Sequence, residues 1–276
     1  MIRTIIQGMF VGITETVPGV SGSTIAMVLG VYERLLNALS MLTTKDRIKA
    51  FPFLFTFSIG MAGGFIASIQ LIHYLLTNFQ LQTFFFFIGI IVGFLPYIWK
   101  DTVNTTDTGL RKKHCFIMFI SLSLVIMMQF FANAGNLDMD NLSFSNYFYF
   151  IISGFFASTA LVLPGISGAL ILTIMGIYDI AVPALLTVNI PVIATIGSGV
   201  VLGILITSKL VKYLLTNYIS ETYSAMIGLI SGSIFAILSN LKTGFYLELN
   251  ITVFITFISG VILVILLNKY KNRLAK

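Results

Sequence analysis

Apolar residues run along this chain in long blocks separated by short polar ones. Six blocks are of the length that crosses a bilayer as a helix, about 20 residues. They are Phe51–Leu76, Thr83–Trp99, Cys115–Phe131, Pro191–Leu215, Thr222–Leu241 and Ile251–Asn268. Two further apolar stretches, roughly Ile2–Leu39 and Tyr147–Leu186, are interrupted. The first carries GITETVPGVSGSTIAMVLGVY (Gly12–Tyr32), the second ASTALVLPGISGALILTIMGIY (Ala157–Tyr178). Each is predicted to divide into two helical pieces at its Pro-Gly break. The reading is a re-entrant hairpin that turns near mid-membrane and leaves on the side it entered, with a pair of full spans as the alternative. Ile2–Val17 is short for a full span, and both readings give the same topology.

The interrupted stretches are copies of one another. Setting Pro18 on Pro164, an offset of 146 residues, places Gly19, Ser21, Gly22, Gly30 and Tyr32 on Gly165, Ser167, Gly168, Gly176 and Tyr178. Further along, at an offset of 139, HYLLTNF (His73–Phe79) falls on KYLLTNY (Lys212–Tyr218). Pro52 then matches Pro191, and Gly60, Gly64, Gly89 and Gly93 match Gly199, Gly203, Gly228 and Gly232. The change of offset places an insertion or deletion in the loop holding Lys45–Lys49. Each half is therefore one hairpin plus three spans, repeat 1 over about 1–132 and repeat 2 over about 147–268. Three spans is an odd number, so the second half starts on the opposite side of the membrane. The expected fold is all-α: one polytopic membrane domain over 1–276 with an inverted-topology repeat.

Composition agrees. Hydrophobic residues make up 57% and charged residues 9%, where a soluble domain carries about a quarter charged. The single Cys115 excludes a disulfide framework within the chain and a multi-cysteine metal site. No cofactor and no metal are expected. The start, MIRTIIQGMF, lacks a small-residue cleavage site and reads as retained. The net charge of +6 reads as positive flanks on the cytosolic side rather than as a nucleic-acid surface. With a cytosolic N-terminus, fifteen of the sixteen Lys and Arg residues stand inside and only Lys242 outside. The loop Asn133–Asn146, with Asp138 and Asp140 and no base, falls outside, and both termini are cytosolic.

Irregular backbone at membrane depth is tolerated where it is buried in protein or lines a wet cavity. Interrupted helices at matching places in two halves point to a transporter's substrate site. New helices are expected near Ser21 and Ser167, and their first amides have no helical partner. Two such ends meeting would bind an anion. The candidate phosphate-binding residues are Pro18, Gly19, Val20, Ser21, Gly22, Ser23 and Thr24 in one turn and Pro164, Gly165, Ile166, Ser167 and Gly168 in the other. The competing reading is that Pro and Gly only kink helices and the serines cap them. Glu15 has Leu161 as its repeat partner, so the symmetry is broken there. An intramembrane carboxylate is a candidate functional group, and a buried one tends to keep its proton unless paired. Glu15 reads either as a protonation or cation-coupling switch or as a helix-start cap. Arg34, counted along a straight helix at about 1.5 Å per residue, lies roughly 20 Å from Ser21. It either meets an approaching headgroup or snorkels at the surface. His73 and Lys212 read as interfacial and His114 as part of the solvated cytosolic flank. The recurring GxxxG spacings read as close helix packing, and the Phe84–Phe87 run as a lipid-facing or packing surface.

VPGVSGSTIAMVLGVYERL in the first half and LVLPGISGALILTIMGIYD in the second resemble the bacterial polyprenyl-phosphate transporter family, the PopT type. The resemblance covers essentially the whole chain. It implies transport of undecaprenyl phosphate, the lipid carrier of cell-wall synthesis, back to the cytosolic leaflet of the bacterial cell membrane. The substrate comes from that resemblance; the residues alone supply an anion site between two hairpins. A second likeness is to membrane-embedded undecaprenyl pyrophosphate phosphatase, which also has inverted repeats and re-entrant hairpins. Its first motif is similar to Gly12–Thr24 and its second to Leu163–Gly168. Two departures separate this chain from that enzyme. Gly168 stands where the phosphatase has an Arg, and Ile25 and Ala26 stand where it has a His. Phosphoryl transfer needs such groups to stabilise the spreading charge, so no catalytic residue is assigned.

Overall fold

The computed structural model describes residues 1–17, 19–104, 111–130, 144–239, 241 and 251–274. Pro18, most of the loop 133–146 with Asp138 and Asp140, and the residues Lys242 and Lys276 lie outside the described residues. Twelve helices are described: α1 (Ile2–Thr14), α2 (Gly22–Val28), α3 (Tyr32–Met41), α4 (Arg47–Asn78), α5 (Gln80–Asn104), α6 (Lys112–Phe130), α7 (Phe144–Val162), α8 (Gly168–Ile174), α9 (Tyr178–Leu186), α10 (Ile190–Asn217), α11 (Ile219–Ser239) and α12 (Ile251–Leu274). The six uninterrupted blocks fall on α4, α5, α6, α10, α11 and α12, with Leu241 just past α11 and Phe131 and Asn240 outside the described residues. With α7, seven helices among the described residues are long and apolar enough to cross a membrane. α1 has only 13 residues, as its length in sequence suggested. α7 has 19, so the two interrupted stretches differ more than their motifs do.

Each interrupted stretch divides into three helices, not two. The first break falls where it was expected, with Ser21 and Ser167 as extended N-cap residues of α2 and α8. Gly19 (φ 81°) and Gly165 (φ 91°) take the left-handed backbone of the turns. A second break follows each seven-residue helix, at Gly30 and Gly176, both at φ 66°. The cause is a helix-ending hydrogen-bond pattern repeated in both halves. Gly30 N–H donates to Met27 O and Val31 N–H to Ala26 O; Gly176 N–H donates to Thr173 O and Ile177 N–H to Leu172 O. This is the Schellman arrangement, in which a glycine in left-handed geometry closes the last turn.

The long helices pair through their glycines. A side chain at Gly8 or Gly12 of α1 would strike the backbone of Phe57 or Met61 in α4, and one at Gly60 or Gly64 would strike Ile5 or Met9 in return. The equivalent pair, α7 with α10, meets at Gly154, Gly199 and Gly203. α5 packs on α12 at Gly89 and Gly93, and α6 on α11 at Gly228 and Gly232. The GxxxG spacings are thus close-packing positions, where absence of a side chain lets backbones touch. α12 sits on the first half's α5, and α6 on the second half's α11. The halves are therefore interlocked by their last spans as well as by α3 against α10. Phe84 and Phe87 are buried in the main core, which settles that run as packing.

Two expectations need correction. His114 is not part of a solvated flank: it is 2% exposed, its Nδ1 accepting from the Arg111 amide at 3.0 Å. The straight-helix distance to Arg34 also fails, because the chain turns at Gly30 and restarts as α3. Arg34 is exposed on that helix and its guanidinium stacks 4.5 Å over the Phe53 ring.

Candidate functional site

The two hairpin turns meet. Thr24 Oγ1 accepts a hydrogen bond from the Gly165 amide at 2.9 Å, and Ser23 Oγ donates to Leu163 O at 3.0 Å. Tyr32, the first residue of α3, donates its hydroxyl to Val162 O, the last residue of α7, at 3.0 Å. Ser21 Oγ and Ser23 Oγ are 2.7 Å apart. Ser21, Ser23 and Thr24 are all buried. Such groups are costly in an apolar surround unless hydrogen-bonded, and Ser23 and Thr24 satisfy that requirement across the boundary between halves. The first turn supplies the hydroxyls; the second, which has Ala169 and Leu170 where the first has Ser23 and Thr24, supplies backbone groups.

Glu15 lies just past α1, and its Oε1 accepts from the amide of Gly22, the first residue of α2, at 3.1 Å. No side chain at the N-cap position does this work. The carboxylate therefore caps a helix seven residues downstream, where the positive end of the dipole favours it. Beside it is a hollow of about 200 Å³. Its polar lining is Glu15, Ser23, Tyr32 and Ser58; α3 and α4 contribute an apolar wall that includes Leu36 and Phe57. Among the described residues, no Lys, Arg or His lines it. A second hollow of about 170 Å³ lies against Glu33, Asp101, Tyr97, Tyr223 and Asn268. Tyr32 alone lines both. In the second hollow Tyr223 donates to Glu33 Oε1 at 2.7 Å.

Of the residues singled out in the sequence, Glu15, Gly22 and Ser23 line the first hollow. Thr24 is committed to Gly165, and Val20, Pro164, Gly165 and Ile166 are buried in the tip packing. Ser167 and Gly168 are half-buried at the start of α8, outside the hollow, and Gly19 is half-buried in its turn. Arg34 does not line it. The second half contributes Leu161, Val162 and Ile204 instead. Sequence reasoning missed Tyr32 and Ser58. The match of Tyr32 to Tyr178 within the repeat was a usable signal for the first; a lone serine in an apolar helix gave none for the second.

Hydroxyl-bearing helix breaks joined tip to tip beside an internal hollow, in a chain with seven helices long enough to cross a bilayer, define a polytopic membrane protein of the transporter class. The family described as undecaprenyl phosphate translocase-like matches residues 11–255. The chain belongs to that family, whose description is that of a transporter and not of an enzyme. It is 31% identical over 247 residues to the polyprenyl-phosphate transporter of Staphylococcus aureus, covering 87% of each chain. It is 28% identical over 246 residues to the polyprenyl-phosphate transporter of Vibrio cholerae, covering 84% of this chain and 76% of that one. No solved structure matches.

Proposed function

We propose that this protein moves undecaprenyl phosphate from the outer to the cytosolic leaflet of the bacterial cell membrane, returning the carrier lipid for cell-wall synthesis. The relatives' names and the family supply the substrate. The observation that carries the mechanism is the joining of the two turns beside a hollow whose one charged group among the described residues is Glu15. In this reading the halves are inverted, the hairpins are re-entrant, both termini are cytosolic, and the prenyl tail stays in lipid while the head crosses. The phosphate takes the place now held by the Glu15 carboxylate at the Gly22 amide, with Ser21 and Ser23 beside it and the second turn opposite.

The charge balance explains why Glu15 belongs in such a site. Two unit charges 4 Å apart repel by about 4 kcal/mol at an effective dielectric constant of 20. No basic side chain among the described residues lines the hollow to offset this. A lipid phosphate and an ionised Glu15 therefore cannot share it unless a proton or Na⁺ accompanies them. Moving an anion inward also works against an inside-negative potential, at about 2.3 kcal/mol per charge per 100 mV. A cation carried on Glu15 offsets both terms. The lack of a basic group on these walls tells against the phosphatase alternative, since nothing there would stabilise a cleaved phosphoryl group.

The test is movement of undecaprenyl phosphate in liposomes holding the purified protein, with an imposed proton or Na⁺ gradient. Movement that follows the gradient in the wild type and ignores it in Glu15→Gln is expected. A wild type indifferent to both gradients removes the coupling, and phosphate release from undecaprenyl pyrophosphate would favour the enzyme.

A further inference from the structure

The two halves share backbone geometry but differ in one equivalent pair of side chains. Tyr32 and Tyr178 each begin the helix that follows a Schellman turn, α3 in one half and α9 in the other. Tyr32 is 5% exposed and tied to Val162 O. Tyr178 is 42% exposed, and its hydroxyl makes no hydrogen bond to another described residue. The repeat partner of Val162 is Thr16, whose carbonyl stands just beyond α1 as Val162 ends α7. Of the three side-chain bonds between α1–α3 and α7–α9 among the described residues, this is the one whose side chain is present in both copies. Ser23 and Thr24 become Ala169 and Leu170 on exchange, whereas Tyr32 becomes Tyr178. Tyr32 is also the wall between the hollow holding Glu15 and the hollow holding Glu33 and Asp101.

We propose that Tyr32 and Tyr178 are paired gate residues that close opposite ends of the pathway in turn. In this structure the Tyr32 gate is shut, its phenol sealing the Glu15 chamber from the acidic vestibule, and the Tyr178 gate is open. In the alternate state the halves exchange conformations: Tyr178 donates to Thr16 O, and Tyr32 leaves Val162 and joins the two hollows. One phenol–carbonyl bond is broken and an equivalent one is made, so neither state is locked. This rests on the inverted-repeat reading, because only oppositely directed halves place equivalent gates at opposite ends.

The experiment replaces Cys115 with Ser and installs one reporter, Ala26→Cys, in the chamber wall. The protein is placed in liposomes and alkylated by a membrane-impermeant maleimide added from the Glu33/Asp101 side. Tyr32→Phe weakens the present state and raises that rate, by roughly 5-fold for one lost hydrogen bond. Tyr178→Phe weakens the alternate state and lowers the rate by a similar factor. The double variant returns toward the starting rate. Effects of the same sign, or a silent Tyr178→Phe, overturn the gate pairing. Thr44→Cys and Thr187→Cys, exposed just after α3 and α9, test the underlying reading separately. Labelling of both from one side of the membrane overturns the inverted repeat itself. Labelling from opposite sides, with same-sign Tyr effects, overturns only the gates.

Discussion

The first hairpin, α1 to α3, and the second, α7 to α9, have one backbone and two chemistries. Their short helices have seven residues each, their N-caps are extended serines, and their glycines sit at nearly the same φ at both breaks. Yet the first carries Glu15, Ser23 and Thr24 where the second carries Leu161, Ala169 and Leu170. The second answers with backbone groups: Val162 O, Leu163 O and the Gly165 amide. The repeated part is what a chain needs in order to break and restart a helix twice within a few residues. The part that differs is what the proposed binding site needs, since a single pathway would require only one coupling group. A glycine at a left-handed turn can be copied without consequence for charge; a buried carboxylate cannot.

The largest expected effect separates the two tips. Gly165→Ala forces a side chain into left-handed backbone and against the main chain of Leu229 and Ile230. The strain and the overlap together cost about 3 kcal/mol or more. Gly19→Ala carries the same left-handed strain, about 1–2 kcal/mol. Thermal unfolding in detergent should show the second-half variant markedly less stable than the first-half one. Equal losses would mean that the second tip is not held against α11.

The next contrast is chemical. Glu15→Gln should slow lipid movement by about tenfold or more, because it leaves only a neutral acceptor for the Gly22 amide and removes the proposed cation carrier. Leu161→Gln, at the matching position, should leave the gradient response in place. A symmetric outcome in the liposome assay would erase the distinction between the halves. Below that comes the seam itself. Thr24→Val leaves the buried Gly165 amide without its acceptor, a cost of about 1–3 kcal/mol read as a lower unfolding midpoint. The smallest effect belongs to Arg34→Ala, which removes a cation–π contact at an exposed site, about 0.5–1 kcal/mol. Transport should barely change; a deep loss would return Arg34 to a role in meeting the headgroup.

The long spans and the first breaks were legible because they rest on composition and on Pro-Gly pairs, which act locally. The second breaks were not read, although Gly30 and Gly176 match in the repeat, because glycine also occurs within membrane helices as a packing residue, as Gly60 and Gly64 do here. Only the hydrogen bonds to Ala26 O and Leu172 O distinguish a cap from a contact. Glu15 stood out as a lone acid; its carboxylate caps α2, and the residue also lines the hollow. Tyr32 was visible as a matched residue but not as a partition. That role arises from a contact 130 residues away, which no local pattern encodes. His114 was misplaced for a related reason: three basic neighbours suggested water, while α11 covers it, with Glu221 Oε1 at 4.0 Å from its Nε2.

The central claim is that the lipid phosphate crosses through the hollow beside Glu15. Ser58 lines that hollow and is exposed on α4, so Ser58→Trp fills it from its rim without disturbing the tips. Undecaprenyl phosphate in the outer leaflet of liposomes can be followed by its susceptibility to an added phosphatase that does not cross the bilayer. The account predicts a growing protected fraction with the wild type, and with Ser58→Trp the slow protection of protein-free vesicles. Unimpeded lipid movement through a folded Ser58→Trp protein would contradict it.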